Sequence, residues 1–323
     1  MRPPLALVTP ALAAANNGNW QTARRWARLL APHYAVRLCA QWDGGDEALM
    51  VALHARRSAP SIRAWRARAP GRPLVVVLTG TDLYRDIAHD ADAQAALALA
   101  DRLLVLNALG AQALPAPWRA KTAVVLPTAT PRRTLAKPAR WLRALAVGHL
   151  RDEKSPQTWF DAARRLAHRA DLRLDHVGGA LDPALADAAR ATAAACPHYR
   201  WLGALPHGAA RDRIQRAHLL VNPSRLEGGP TVVVEALASG TPVLASRCDG
   251  HLGLLGADYP GLFDVGDAAG LAALLAQARD DPAMLPALQA HCAARARLHH
   301  PDEERRSLLA ALRPLHTAPG ALP

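Results

Sequence analysis

Glu227 and Glu235, separated by seven residues and joined through Gly228-Gly229-Pro230, form the spacing in this 323-residue chain that most clearly suggests chemistry. They lie in the stretch Val221-Asn-Pro-Ser-Arg-Leu-Glu-Gly-Gly-Pro-Thr-Val-Val-Val-Glu-Ala-Leu-Ala-Ser-Gly-Thr-Pro-Val-Leu-Ala-Ser246. A strand is expected to end near Asn222 and a helix to begin at Gly229-Pro230, because proline in a first turn sacrifices no hydrogen bond. Gly228 and Gly229 would let backbone amides approach a ligand, and the positive end of the helix favours a phosphate. One carboxylate can then address a sugar while the other takes hydroxyls beyond the phosphates, as acidic residues hold ribose diols in doubly wound folds. Helix capping for Glu227 and a solvated face for Glu235 are the plainer alternatives. The Gly-Gly-Pro between them favours the ligand reading.

The elements that must position these residues follow from hydrophobic period. Short Val- and Leu-rich runs alternate with longer alanine-rich segments of helical period, the pattern of parallel strands joined by crossover helices. Strands are expected at 5–9, 36–39, 49–53, 74–78, 102–106 and 123–126. A second set is expected at 142–147, 172–177, 199–202, 219–221 and 242–245. Between the first two strands, Trp20, Ala23, Ala27 and Leu30 share a helical face that reads as core. The run from Pro127 to Arg140 has neither period and reads as a linker. The result is an α/β protein of two Rossmann-like doubly wound domains facing across a cleft, at 1–138 and 139–301. A C-terminal helix at about 302–323 is expected to pack back on the first domain.

Charge divides at the same place. Residues 1–140 carry 19 Lys and Arg against 8 Asp and Glu, whereas residues 141–323 carry 20 against 19. The total of +12 invites a nucleic-acid partner. Its confinement to one half, almost entirely as arginine, instead suits bidentate contacts to a small anion. The four cysteines, Cys39, Cys196, Cys248 and Cys292, show no metal-ligand spacing, so reduced thiols and a cytoplasmic location are expected. No apolar run approaches the ~20 residues needed to span a bilayer. The opening residues imitate a secretory signal, but Pro10 interrupts the apolar run and a first strand is the better reading. Asp90-Ala-Asp92 reads as a solvated helix start rather than a metal site.

The frame Glu227-Gly228 through Glu235-Ala236, followed by Gly240-Thr-Pro-Val243, resembles the retaining nucleotide-sugar glycosyltransferases of family four, which have the GT-B architecture. The resemblance implies that Glu227 binds donor-sugar hydroxyls, the amides of Gly228, Gly229 and Thr231 around Pro230 hold the diphosphate, and Glu235 binds ribose. A second family motif, Gly-Arg-Leu with a following lysine, is similar to Gly148-His149-Leu150-Arg151-Asp-Glu-Lys154, with His149 in the arginine's place. It implies that Lys154, and Arg151 if it turns inward, neutralise the leaving diphosphate. Gly203-Ala-Leu205-Pro-His-Gly corresponds to the segment that sets the nucleotide base against backbone, which makes Leu205 donor-binding by resemblance. Asn16-Asn17-Gly18-Asn19-Trp20 corresponds to a glycine-rich loop over donor phosphates and acceptor, with Asn19 as the helix cap in the plainer reading.

Together with Leu78-Thr-Gly-Thr81-Asp82-Leu-Tyr-Arg85, that loop is similar to the selenosugar synthases of selenoneine biosynthesis. The implied reaction transfers N-acetylglucosamine from UDP-N-acetylglucosamine to the selenium of selenophosphate, with Asn16, Asn17, Asn19, Thr81, Asp82 and Arg85 at the acceptor. No metal and no cofactor are expected, the UDP-sugar being a co-substrate. The alternatives are a transferase of the same family acting on a lipid or glycan hydroxyl, and a basic nucleic-acid-binding protein, which the intact Glu pair disfavours.

Overall fold

The computed structural model describes residues 1–15 and 17–316. It forms two compact units. The first comprises Met1–Thr128, the short segment Glu227–Thr231 and the segment from Pro301 onward; the second comprises Ala129–Leu226 and Val232–His300.

The first unit is built on a six-stranded sheet of β1 (Pro4–Val8), β2 (Ala35–Cys39), β3 (Leu49–Leu53), β4 (Leu74–Leu78), β5 (Arg102–Val105) and β6 (Thr122–Val124), in the order β2-β1-β3-β4-β5-β6. Every pairing is parallel. Parallel strands are covered on both faces, which explains why β3 and β4 are apolar at every position. Alternation then sorts the side chains. Leu5, Leu7, Val51 and Val77 pack with Trp26 and Leu30 on one face, and Ala6, Val8, Met50 and Val76 with Trp42 and Trp65 on the other. The helix Gly18–Leu30 buries Trp26, whereas Trp20 is only partly covered, so the helical face expected from the sequence is rotated. Its cap is Asn17, whose Oδ1 accepts from the Trp20 N–H at 3.1 Å, and not Asn19.

The helix Pro301–His316 belongs to this unit and brings Glu304 into its core. Glu304 is 1% exposed. It accepts from Arg25 Nε at 2.7 Å, Arg25 Nη2 at 2.9 Å, Trp26 Nε1 at 2.7 Å and the Thr128 hydroxyl. A buried carboxylate persists only with such a full set of donors.

The second unit contains β7 (Leu142–Val147), β8 (Leu172–Val177), β9 (Tyr199–Trp201), β10 (Leu219–Asn222), β11 (Val243–Ser246) and β12 (Leu262–Phe263), in the order β12-β11-β10-β7-β8-β9. All of its pairings are parallel. Residues from Ala129 to Arg140 run along this unit. Arg132 N–H donates to Ala238 O at 2.7 Å, its guanidinium pairs with Asp212 at 2.7 Å, and Gln215 Nε2 donates to Arg133 O at 2.6 Å.

In each sheet the chain adds strands to one side of its first strand and then crosses to the other. The reversal lies between β1 and β3 in the first sheet and between β7 and β10 in the second. Ligands of open parallel sheets bind beyond the carboxyl ends of the strands at this switch point.

Candidate functional site

At the switch point of the second unit, the loops after β7, β8 and β9 are stitched together by backbone. Gly148 N–H donates to Val177 O at 2.8 Å and Gly178 N–H to Gly203 O at 2.8 Å. A Cβ on Gly178 would lie 1.8 Å from Gly148 O, so only glycine permits this approach. Gly179 N–H donates to His149 Nδ1 at 3.1 Å. A nitrogen that accepts is unprotonated, so the His149 proton sits on Nε2, which leaves one fixed donor where the family motif has arginine.

From His149 the chain runs through Arg151 into the 3-10 turn Asp152–Lys154. It then passes Ser155, buried and left-handed at φ 45°, to enter the helix Pro156–Arg165. Lys154 N–H donates to Arg151 O at 3.0 Å, and the lysine stem lies against Gly148, whose built Cβ would stand 3.5 Å from Lys154 Cγ and Cδ. The aliphatic stem of Lys154 thus packs over Gly148, just beyond the end of β7. Arg151 is partly exposed, with Nε 4.0 Å from Glu153. The loop after β10 joins the same group through Arg225 N–H, which donates to Glu153 O at 2.9 Å.

Glu235 lies on the helix Thr231–Leu237 and is 4% exposed. This helix starts at Thr231, so Gly229 and Pro230 precede it rather than open it. His207, the first residue of the helix His207–Arg216, places Nε2 2.5 Å from Glu235 Oε1. Among the sequence expectations His207 has no role. Its only signal was its place directly after Leu205-Pro206. Leu205 is partly buried beside it.

In the first unit, Glu227 is 7% exposed at the head of the segment Glu227–Thr231. The glycines here meet a packing demand. A Cβ on Gly228 would lie 2.3 Å from Thr79 O, and one on Gly229 would lie 2.6 Å from Leu106 Cβ. Asn107, fully buried, donates Nδ2 to Gly228 O at 2.7 Å and to Tyr84 Oη at 2.9 Å, and accepts at Oδ1 from Leu109 N–H at 2.9 Å.

The acceptor-side candidates separate. Thr81 is partly exposed, and its Oγ1 lies 3.0 Å from His54 Nε2. Asp82 is 0% exposed, and its carboxylate accepts from Ala55, Thr79 and Gly80 N–H at 2.8–2.9 Å, so it holds the turn after β4. Arg85 is exposed and donates to Asp86 at 3.2 Å, an oxygen pair that also takes Arg56 at 2.8 Å. Gly18 opens its helix on an exposed face where a side chain would meet nothing within 4 Å. Asn17 is occupied at Oδ1 by its capping bond, Asn19 is partly exposed within the helix, and Asn16 lies outside the described residues. Much of the basic surplus is committed as well, since Arg25, Arg37, Arg56, Arg63 and Arg66 each pair with a carboxylate.

Asp90 accepts from Ala93 N–H at 2.9 Å and caps its helix, as expected of a helix start. Among the described residues, no group of three or more His, Cys, Asp or Glu side chains could hold a metal ion. No described helix is long and apolar enough to cross a membrane. The four cysteines are free, and three of them are buried.

The fold and this site define a GT-B protein, with two parallel Rossmann-like sheets and a glutamate-bearing helix beside the second switch point. The family model described as glycosyl transferases group 1 matches residues 130–299, and the chain belongs to that family. It is similar to D-inositol 3-phosphate glycosyltransferase 1 of Catenulispora acidiphila, at 33% identity over 261 residues covering 69% of this chain; it spans 62% of the length of that relative. In fold it matches sucrose-phosphate synthase from Thermosynechococcus elongatus (TM-score 0.78, 18% identity, 98% of this chain and 100% of the other). It also matches Anabaena HepE in complex with UDP and glucose (TM-score 0.75, 15% identity, 97% and 100%).

Proposed function

We propose that the protein is a retaining glycosyltransferase that takes its sugar from a UDP-sugar, and that it forms a carbon–selenium bond by transferring N-acetylglucosamine from UDP-N-acetylglucosamine to selenophosphate. The observation that carries the donor half is Glu235, buried on the helix that follows Gly-Gly-Pro, in a family of nucleotide-sugar enzymes. HepE, which shares this fold, was solved with UDP, and this supports the choice of nucleotide. The acceptor rests on the resemblance of the 16–20 and 78–85 loops to selenosugar synthases and on the basic first half. The name of the Catenulispora relative also specifies a phosphorylated acceptor.

In this reading Glu235 takes the ribose hydroxyls, Glu227 the sugar hydroxyls, and the backbone from Gly228 to Thr231 the diphosphate. Lys154 and the His149 Nε2–H meet the charge that develops on the leaving diphosphate, where a fixed donor contributes most. Selenium attacks the anomeric carbon on the face that UDP leaves, the C–O bond to the β-phosphate breaks, and UDP departs with the electron pair. The product is a selenophosphate ester of the sugar, and hydrolysis of its Se–P bond releases phosphate and the selenosugar. Selenophosphate is already anionic, so no general base is required; what it needs is hydrogen-bond donors and cations, which Thr81 and the arginines of the first unit can supply.

The test is mass spectrometry of the protein with UDP-N-acetylglucosamine and enzymatically made selenophosphate. A selenosugar accompanied by equimolar UDP is expected. UDP release only with a hydroxyl acceptor would reassign the acceptor, and no UDP release with any acceptor would remove the transferase reading.

A further inference from the structure

Glu235 is nearly buried and sits in the second turn of a helix of seven residues, so its carboxylate can turn only about its own side-chain bonds. What fixes that rotation is His207. Its Nε2 is 2.5 Å from Oε1, and because an ionised carboxylate only accepts, Nε2 carries the proton. His207 is itself placed by its position. It is the first residue of its helix, directly after Pro206, and its side chain is 34% exposed. Arg211, one turn further along, interacts electrostatically with Glu235, while its Nη2 donates to Thr130 O at 2.7 Å. The direct hydrogen bond is thus made by His207 and the more distant charge is supplied by Arg211.

We infer that His207 is a positioning residue for ribose recognition, acting through Glu235. The inference rests on the donor reading above. A carboxylate offers about four acceptor sites, and one of those on Oε1 is filled by His207. The remainder, on both oxygens, match the two O–H donors of a vicinal diol, provided the carboxylate plane is held. Without His207 the plane is free to rotate, and a diol must order it on binding, which costs affinity. A hydroxyl-specific role separates this proposal from simple support of the fold: the loss should fall on a ligand with both ribose hydroxyls and spare one that lacks the 2′-hydroxyl.

The experiment is calorimetric titration of the full chain and of His207→Ala and His207→Gln with UDP and with 2′-deoxy-UDP. The expected result is that His207→Ala weakens UDP by about tenfold and 2′-deoxy-UDP by less than about twofold, because a lost charge-assisted hydrogen bond acts on the diol. His207→Gln, which keeps a donor of similar reach, should recover UDP binding to within about threefold. Equal weakening of both nucleotides, or unchanged or tighter UDP binding in His207→Ala, would overturn the positioning role and leave the donor reading standing. Failure of the unmodified chain to bind UDP would overturn both.

Discussion

His54 holds the hydroxyl of Thr81 at 3.0 Å from its Nε2 while its own backbone is left-handed at φ 71°. Its Nδ1 accepts from Arg57 N–H at 3.4 Å, so the Nε2 proton points to Thr81 Oγ1 and the threonine hydroxyl keeps its own proton to donate. Burial pushes the His54 imidazole below its ordinary pKa, against the pull of Asp82. A buried, left-handed, non-glycine residue at the carboxyl end of β3, beside the first switch point, is strain of the kind that is retained where a side chain is needed.

Substitutions at 54 should therefore sort by backbone tolerance. His54→Asn, which accepts positive φ, should be less destabilising than His54→Val by about 1–2 kcal/mol, since a β-branched residue resists this conformation. Urea unfolding would measure the difference, and equal midpoints would argue against the left-handed turn.

Removal of the Glu304 carboxylate should be costly. Glu304→Ala leaves Arg25, Trp26 and Thr128 without their shared acceptor and is expected to cost about 3–5 kcal/mol, the scale of a broken buried pair. Arg306→Ala, which removes an exposed pair with Glu303, should not move the midpoint measurably. Thermal melts of the two variants give the comparison directly.

Stability should fall on mild acidification. His176 is buried, and burial holds its pKa down to about 4 against an ordinary 6.5. Between those values the unfolded chain binds a proton that the folded chain refuses. This contribution is therefore complete above pH 6.5 and is lost progressively towards pH 4, by roughly 3 kcal/mol in all. His54, His198 and His218 are shifted in the same direction, also chiefly by burial, and add to the slope. Denaturant midpoints between pH 7.5 and 5 should decline steadily; a flat profile would show that these rings are not held neutral.

Two glycines should respond oppositely to alanine. Gly178→Ala drives a Cβ to 1.8 Å from Gly148 O, which forces apart the loops carrying His149 and Lys154, and it should reduce both stability and UDP affinity. Gly18→Ala meets open space at the start of a helix and should stabilise by up to about 1 kcal/mol. Paired unfolding and UDP-release assays separate the two effects.

The sheets were legible because the buried parallel strands are short runs dominated by Val, Leu and Ala, unbroken by polar residues in Leu49–Leu53 and Leu74–Leu78 and interrupted by Arg143 in one strand and by Arg173, Asp175 and His176 in another. Leu49–Leu53, Leu74–Leu78, Leu142–Val147 and Leu172–Val177 fall where the sequence places them. The two-residue strand Leu262–Phe263 has no period to detect. The sequence reading puts the cap at Asn19, but Asn17 is its chemical equivalent, and only the φ and ψ of Asn17 select it. Gly228 and Gly229 were recognisable as close-approach positions, but the partner that demands them, backbone and side chain of Thr79 and Leu106, is more than a hundred residues away. The same distance in sequence hides the grip of Asn107 on Gly228. His207 and Glu235 stand 28 apart, on different helices, and no local pattern joins them.

The donor site itself is tested most directly by titrating the intact protein and its Glu235→Ala variant with UDP. The unmodified chain should bind one UDP, and loss of the Glu235 carboxylate should weaken that binding by about tenfold or more, as expected for a buried acceptor removed from two hydroxyls. Absence of UDP binding in the unmodified chain, or equal affinity in the variant, would mean that this helix does not hold the ribose of a UDP-sugar.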